Sequence, residues 1–289
     1  MDAIIAVACV ALVLAQAGII NAGGRERSKR EVCLANLRSL AAAWQTYSSD
    51  NSGKIPSGDV GYSWTFPSGS SGGPQRAWVE WLHSPISHPM PPTSATNWGS
   101  GPGTGPSLSF TAALTAKDEV QQHAISEGLL WKYVMDYNIY QCPDGNKGAY
   151  VTYSMSHSMN TWPGSAGTGS PTITNINQIT KQSERLVFLD TGIIKAGAFY
   201  IVYSGGGSNG PGKWYELPPM RHGQGTTFSF ADGHTEYRKW TAPHTLAAPS
   251  GGWGGGTVDY CDCDLRWMTK ITWGDVPYTC TNPDKHCEY

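Results

Sequence analysis

Asp190, His222 and Asp232 are the side chains in this sequence whose types and placing best suit chemistry. Asp190 closes the run Arg185-Leu186-Val187-Phe188-Leu189, Asp232 closes Thr226-Thr227-Phe228-Ser229-Phe230-Ala231, and His222 lies just ahead of the second run. If the two runs are neighbouring strands, two carboxylates and an imidazole converge as an acid–base set, or as a site for calcium or another metal. The reading we prefer is structural. His222 and Asp232 would hydrogen-bond backbone groups and fix a hairpin at Asp232-Gly233, because a buried polar group needs a partner in any case. No glycine-rich phosphate loop, nucleophile elbow or metalloprotease helix accompanies them, so no enzymatic activity and no organic cofactor are expected. Asp259, Asp262, Asp264 and Asp275 offer oxygen ligands to calcium, at a spacing that matches no EF-hand loop.

The seven cysteines are the second source of chemistry. In an exported protein they suggest three disulfides and one thiol left over. Cys9 sits in an apolar run and is the natural odd one. Cys33 and Cys142 are expected to pair, closing a long loop in a bridge worth on the order of 4–5 kcal/mol if unstrained. Cys261, Cys263, Cys280 and Cys287 remain. Cys261 and Cys263, separated by one residue, are expected to bond different partners. Cys261–Cys280 with Cys263–Cys287 and the crossed alternative both stand. Zinc on these four is the competing reading, and no Cys-x-x-Cys-His haem signature occurs.

The element that must position these residues is the first. Residues 3–20 carry no charge, and as a helix they span about 27–30 Å, the thickness of a bilayer core. A cleaved signal peptide needs a basic start, whereas Met1-Asp2 is acidic, so a retained helix is expected. Gly18, Gly23 and Gly24 weaken its middle by about 1 kcal/mol each, and unwinding is expected somewhere in 18–25. A charged run from Arg25 to Glu31 follows. Cys33, Leu37, Leu40, Trp44 and Tyr47 then recur at steps of four and three, one apolar stripe along a helix. Ser52-Gly53 and Pro56 end it.

Downstream, 57–110 is dominated by Gly, Pro and Ser, with Ala77-Trp78-Val79-Glu80-Trp81-Leu82 as a candidate strand. Lys117–Asp136 reads as a helix interrupted at Gly128. Tyr150–Met155, Arg185–Asp190, Ala198–Tyr203 and Thr226–Ala231 read as strands, and Asp232-Gly233 as the hairpin turn leading into His234–Trp240. The expected class is α+β, a long helix on an antiparallel sheet. A net charge of −2 gives no electrostatic case for nucleic acid. Low charge with abundant Gly, Ser, Trp and Tyr suits an extracellular, loop-rich domain.

Cys33-Leu34-Ala35-Asn36-Leu37-Arg38-Ser39-Leu40 after an apolar helix, then Tyr47 to Pro56, then Gly128-Leu129-Leu130-Trp131-Lys132-Tyr133-Val134 leading to Ile139-Tyr140-Gln141-Cys142-Pro143-Asp144, occur here in that order. Arg221 to His234 follows, with His222 and Asp232-Gly233 at the spacing of an H-X9-DG motif. In these stretches the chain resembles type IV pilin-like proteins, the group with prepilin-type N-termini and a processing-associated H-X9-DG C-terminal domain. The resemblance covers most of 1–240. The group's Phe-Thr-Leu-Ile-Glu opening is not matched. Aligned through Cys33, its glutamate falls on Asp2, as expected if the sequence begins late or the mature start is shortened, and no leader is in view. In that family the carboxylate is thought to neutralise a neighbour's N-terminal amine in the filament core. The bland alternative for Asp2 is an interfacial residue at a membrane edge.

The resemblance implies a pilin-like α+β fold and an extracellular, type IV pilus-like homopolymer at the cell surface. Subunits would be anchored in the inner membrane before assembly and handled by pilus assembly machinery. Residues 1–53 would form the helix, with 1–24 as assembly or membrane segment and Asp2, Ile4, Ile5, Val7, Val10, Leu12, Leu14, Gly18, Gly23 and Gly24 as its assembly positions. Residues 54–240 would form the globular domain, whose Ser- and Thr-rich loops could carry O-glycans. Residues 241–289 would be a disulfide-stapled appendix contacting neighbours. Two alternatives stand beside the pilus subunit. One is a minor pseudopilin of a type II secretion system. The other is a membrane-anchored binder of surface polysaccharide, using exposed platforms such as Trp162, Trp214 or Trp253. Trp44, Trp131 and Trp240 are expected in the core.

Overall fold

A computed structural model describes residues 2–58, 77–79, 118–161, 170–192, 198–203, 214–247 and 262–277, those of 2–22 by backbone alone. Helix α1 runs without a break from Asp2 to Asp50. The expected unwinding at 18–25 is therefore corrected. A Cβ built at Gly23 or Gly24 would meet nothing within 4 Å, so no described neighbour packs against the helix at these two positions. Three weak residues inside a helix of 49 residues do not outweigh the cooperativity of its ladder. The helix stops as the sequence requires, with Ser52 and Gly53 at positive φ and the Gly53 N–H donating to Ser48 O at 2.8 Å.

The apolar stripe of α1 is the spine of the core. Cys33, Leu37, Leu40 and Trp44 are fully buried, and Tyr47 packs partly buried at the far end. Across from it lies an antiparallel sheet in the order β1 (Tyr153–Met155), β2 (Leu186–Asp190), β3 (Gly225–Phe230) and β4 (Thr235–Lys239). The mixed α+β class holds. Ala198–Tyr203, expected as a strand, makes only isolated bridges, Phe199 to Ser156 and Ile201 to Trp214.

Alternation along β2 and β3 sorts the side chains between two faces. A register shift between Leu186 and Phe188 lets Val187 and Phe188 both join the α1-side core. Leu189 then points to the other side, and Asp190 comes back towards α1. On β3, Phe228 and Phe230 take the far face, leaving small Thr227 and Ser229 towards the helix.

The helices after α1 are α2 (Asp118–Ser126), α3 (Trp131–Val134), α4 (Pro243–Ala247) and α5 (Cys263–Trp273), and α5 covers the far face. Leu265, Met268 and Ile271 of α5 pack with Leu186, Leu189, Phe228, Phe230, Trp214 and Trp240. The expected appendix is thus corrected: the part of 241–289 that is described forms the third layer of the same domain. Trp214 is corrected as well. It is fully buried in this layer and offers no platform for sugars. Trp162 and Trp253 lie outside the described residues.

The expected helix Lys117–Asp136 is two helices. A Cβ at Gly128 would lie 2.3 Å from Trp78 O, so the chain turns there directly on the backbone of 77–79. The Leu129 N–H donates to Ala77 O at 3.1 Å, fixing the contact. Beyond α3, a 3₁₀ turn at Tyr137–Tyr140 delivers Cys142 to the end of β2.

Candidate metal centre

Four residues from four parts of the chain meet under α1: Cys33 from the helix, Cys142 from the turn after Tyr140, Asp190 from the end of β2 and His222 from the turn before β3. One donor atom from each lies within 4.8 Å of all the others. Cys33 Sγ is 3.2 Å from Asp190 Oδ2, His222 Nε2 is 3.2 Å from the same oxygen, and Cys142 Sγ is 3.3 Å from His222 Nε2. All four residues are buried, Cys33 and Asp190 completely.

Cys33 and Cys142 are brought together as expected, but they are free thiols, not a disulfide. That expectation is corrected. Each sulfur also has another polar partner. Cys33 Sγ is 3.1 Å from Thr227 Oγ1, and Cys142 Sγ accepts from the Asp144 N–H at 3.4 Å.

Local structure fixes each donor. The Cys142 N–H donates to Thr152 Oγ1 at 2.6 Å, and the Gly145 N–H to Cys142 O at 2.8 Å, closing a tight turn. Asp190 is held by its second oxygen, which accepts from the Gly192 N–H at 2.8 Å, so that only Oδ2 faces the sulfurs. His222, Gly223 and Gln224 all have positive φ, between Arg221 and Gly225, which exchange two backbone hydrogen bonds. Two of the three are not glycine, an unfavourable stretch of backbone that aims the imidazole inward. Tyr237 supports the turn from β4, its hydroxyl donating to His222 O at 2.9 Å.

Charge around the cluster is arranged in a short chain. Arg221 lies 3.8 Å from Asp190 and 3.7 Å from Asp144, and Lys29 on α1 reaches Asp144 at 3.0 Å. Burial, with hydrogen bonding to Cys142 and the charge of Asp190, pushes the Cys33 thiol far up. Cys142 moves down, because hydrogen bonds with Cys33 and His222 outweigh its burial. Burial pushes Asp190 up, but His222, the charge of Arg221, Cys142 and the Gly192 N–H together hold it below the usual carboxylate value. Burial opposes protonation of His222, yet Asp190 and Cys142 raise it to about 9. The four side chains therefore draw positive charge to their centre, and a proton on Nε2 supplies it.

This is not a relay for nucleophilic catalysis. In such a triad the carboxylate orients one ring nitrogen and the nucleophile meets the other. Here sulfur and carboxylate converge on the same nitrogen, and the opposite one, Nδ1, is buried without a hydrogen-bond partner. Donors that converge on one point suit a cation. Glu26, Asp144 and His222 form a second such group, but Lys29 already bridges Glu26 and Asp144.

The remaining candidates fall elsewhere. Asp232 does not join Asp190 and His222. It stays in its own hairpin, accepting from the His234 N–H at 3.1 Å and lying 2.5 Å from His234 Nδ1. Gly233 takes φ 90° in that turn, which docks on α1 where Gln45 Nε2 donates to Ala231 O at 2.8 Å. Asp262 and Asp264 are corrected as calcium ligands because their oxygens are in use. Asp262 caps α5 and accepts from Thr245, while Asp264 accepts from the Thr241 and Ala242 N–H groups. Cys263 is disulfide-bonded to a partner outside the described residues, where Asp259, Cys261, Cys280 and Cys287 also lie. Among the described residues no helix is long and apolar enough to cross a membrane. The side chains of 1–22, with every assembly position from Asp2 to Gly18, fall outside that statement.

Sequence reasoning put Asp190 and His222 in one set with Asp232, and Cys33 with Cys142 in another, without joining the two. The joining signal is the period of two on β2 and the stripe on α1, which turn Asp190 and Cys33 towards the same space. No family model, curated protein or solved structure matches this chain.

Proposed function

We propose that this chain is a structural subunit of a type IV pilus-like filament, polymerising through its N-terminal helix. The observation that supports this reading is the division of α1. Its buried stripe begins at Cys33, residues 23–28 are exposed, and the helix backbone continues to Asp2. At about 1.5 Å per residue, more than 40 Å of helix precedes Cys33. The uncharged sequence of 3–20 on that stalk needs apolar surroundings, which a bilayer supplies before assembly and the stalks of neighbouring subunits supply afterwards. The globular domain would form the outer sheath. The disulfide at Cys263 suits an exported protein.

The test is electron microscopy of fibres sheared from cells, with mass spectrometry of their protein. Fibres built of this chain support the proposal. A chain found only in the membrane fraction, or in trace amounts beside another major subunit, overturns it in favour of an anchored protein or a minor pseudopilin.

A further inference from the structure

We infer that Cys33, Cys142, Asp190 and His222 are the four ligands of a structural divalent cation of the zinc class, which pins α1 to the sheet. The inference is independent of whether the chain forms filaments.

The donor set points to the ion. Two sulfurs, an imidazole and one carboxylate oxygen suit a borderline-soft cation that accepts four ligands, whereas calcium takes six to eight oxygens. The spacing agrees. Around a tetrahedral ion with bonds of roughly 2.0–2.3 Å, donors stand about 3.3–3.8 Å apart. Three of the donor separations among these residues, 3.2, 3.2 and 3.3 Å, lie at or just below the short end of that range without an ion to impose them, and all four donors stay within 4.8 Å of one another.

The charge balance agrees as well. Two thiolates and a carboxylate carry three negative charges, a divalent cation leaves one, and Arg221 stands 3.8 Å from Asp190 to meet it. Loading is proton exchange: the cation enters, and the thiol protons and the His222 Nε2 proton leave to water. Nδ1 then carries the imidazole proton. The surrounding groups behave as an outer shell, with Thr227 on Cys33, the Asp144 N–H on Cys142 and the Gly192 N–H on the second oxygen of Asp190.

A further observation concerns redox chemistry. The chain holds a disulfide at Cys263, yet two neighbouring sulfurs remain unjoined in the core. Ligation to a cation keeps adjacent thiolates from oxidation. The ion would also do mechanical work, since it ties α1 to three segments 109, 157 and 189 residues further along the chain (142 − 33, 190 − 33 and 222 − 33).

The full chain, purified in detergent without chelator, provides the test. Elemental analysis is expected to find about one zinc-class ion per chain, and peptide mapping to find Cys33 and Cys142 unlinked. Stripping the ion should lower the melting temperature, and zinc should restore it. Cobalt in its place should give thiolate charge-transfer and tetrahedral d–d bands. Because Cys33→Ser or His222→Ala could unfold the chain, Thr227→Val serves as the milder variant, with zinc affinity expected to fall about 10–100-fold. A Cys33–Cys142 disulfide in the isolated protein overturns the inference. So does a reduced, metal-free chain to which zinc and cobalt add neither stability nor spectrum, or a metal content unchanged in the folded Cys33→Ser/Cys142→Ser double variant.

Discussion

Cys33 and Asp190 are 157 residues apart in sequence, and their Sγ and Oδ2 atoms are 3.2 Å apart in the folded chain. The contact joins the middle of α1 to the end of β2, and it places an ionised carboxylate in a fully buried site. Such a charge is tolerated only with partners, here His222 and Arg221. Asp190→Asn keeps the shape and removes the charge, leaving protonated His222 without its carboxylate and Arg221 with Asp144 alone. A loss of roughly 3–5 kcal/mol is expected. Urea unfolding followed by tryptophan fluorescence, compared with wild type, measures it.

Gly128→Ala tests the docking of α2 and α3 on residues 77–79. The new methyl would meet Trp78 O at 2.3 Å and Val79 Cα at 2.9 Å, both backbone atoms that cannot swing aside. The expected cost is about 1–3 kcal/mol, as for overpacking elsewhere. Thermal unfolding of the variant should show a lowered midpoint with no change in helix content by circular dichroism. An unchanged midpoint would mean that this contact is not made in solution.

Removal of residues 243–289 tests whether the third layer belongs to the domain. It would strip Leu265, Met268 and Ile271 from Leu186, Leu189, Phe228, Phe230 and Trp240, leaving Phe199, Ile201 and Trp214 as the other described members of that apolar cluster. The expected result is a chain that binds a hydrophobic dye and aggregates. A point variant gives the same argument a number. Met268→Ala, fully buried on α5, should cost about 2–5 kcal/mol in urea unfolding.

The parts of this fold that were legible in the sequence are those governed by local period. The stripe Cys33-Leu37-Leu40-Trp44 and the strands at 186–190 and 225–230 follow from spacing alone. Asp232-Gly233 is equally local, since its carboxylate serves the His234 N–H two residues on. What escaped is non-local. Nothing near Gly128 announces that Trp78 O lies against it, and nothing near Trp214 announces that α5 helps bury it. The four-donor cluster escaped for a related reason. Two cysteines suggest a bridge, and His222 with Asp232 suggests a hairpin, so nothing local joins the four donors, which stand on four separate segments. Arg221 and Lys29 were missed entirely. Their role rests on Asp144, whose position depends on the turn at Cys142.

The two halves of α1 should be separable by mutation. Trp44 is fully buried against the sheet, whereas position 5 is in the segment that leads away from the packed stripe. Trp44→Ala removes a large core side chain, with an expected cost of about 3–5 kcal/mol, and should lower stability and fibre yield together. Ile5→Asp places a charge in the apolar run instead. If stalk packing builds the polymer, it should abolish fibres while the globular domain keeps its wild-type melting temperature, because none of the buried stripe from Cys33 onward is touched. Counting fibres by electron microscopy beside a melting curve of detergent-purified subunit gives both readouts from one preparation. Fibres that survive Ile5→Asp at wild-type abundance would remove the stalk from the assembly interface, and a lowered melting temperature would show that this end of α1 is packed against its own domain.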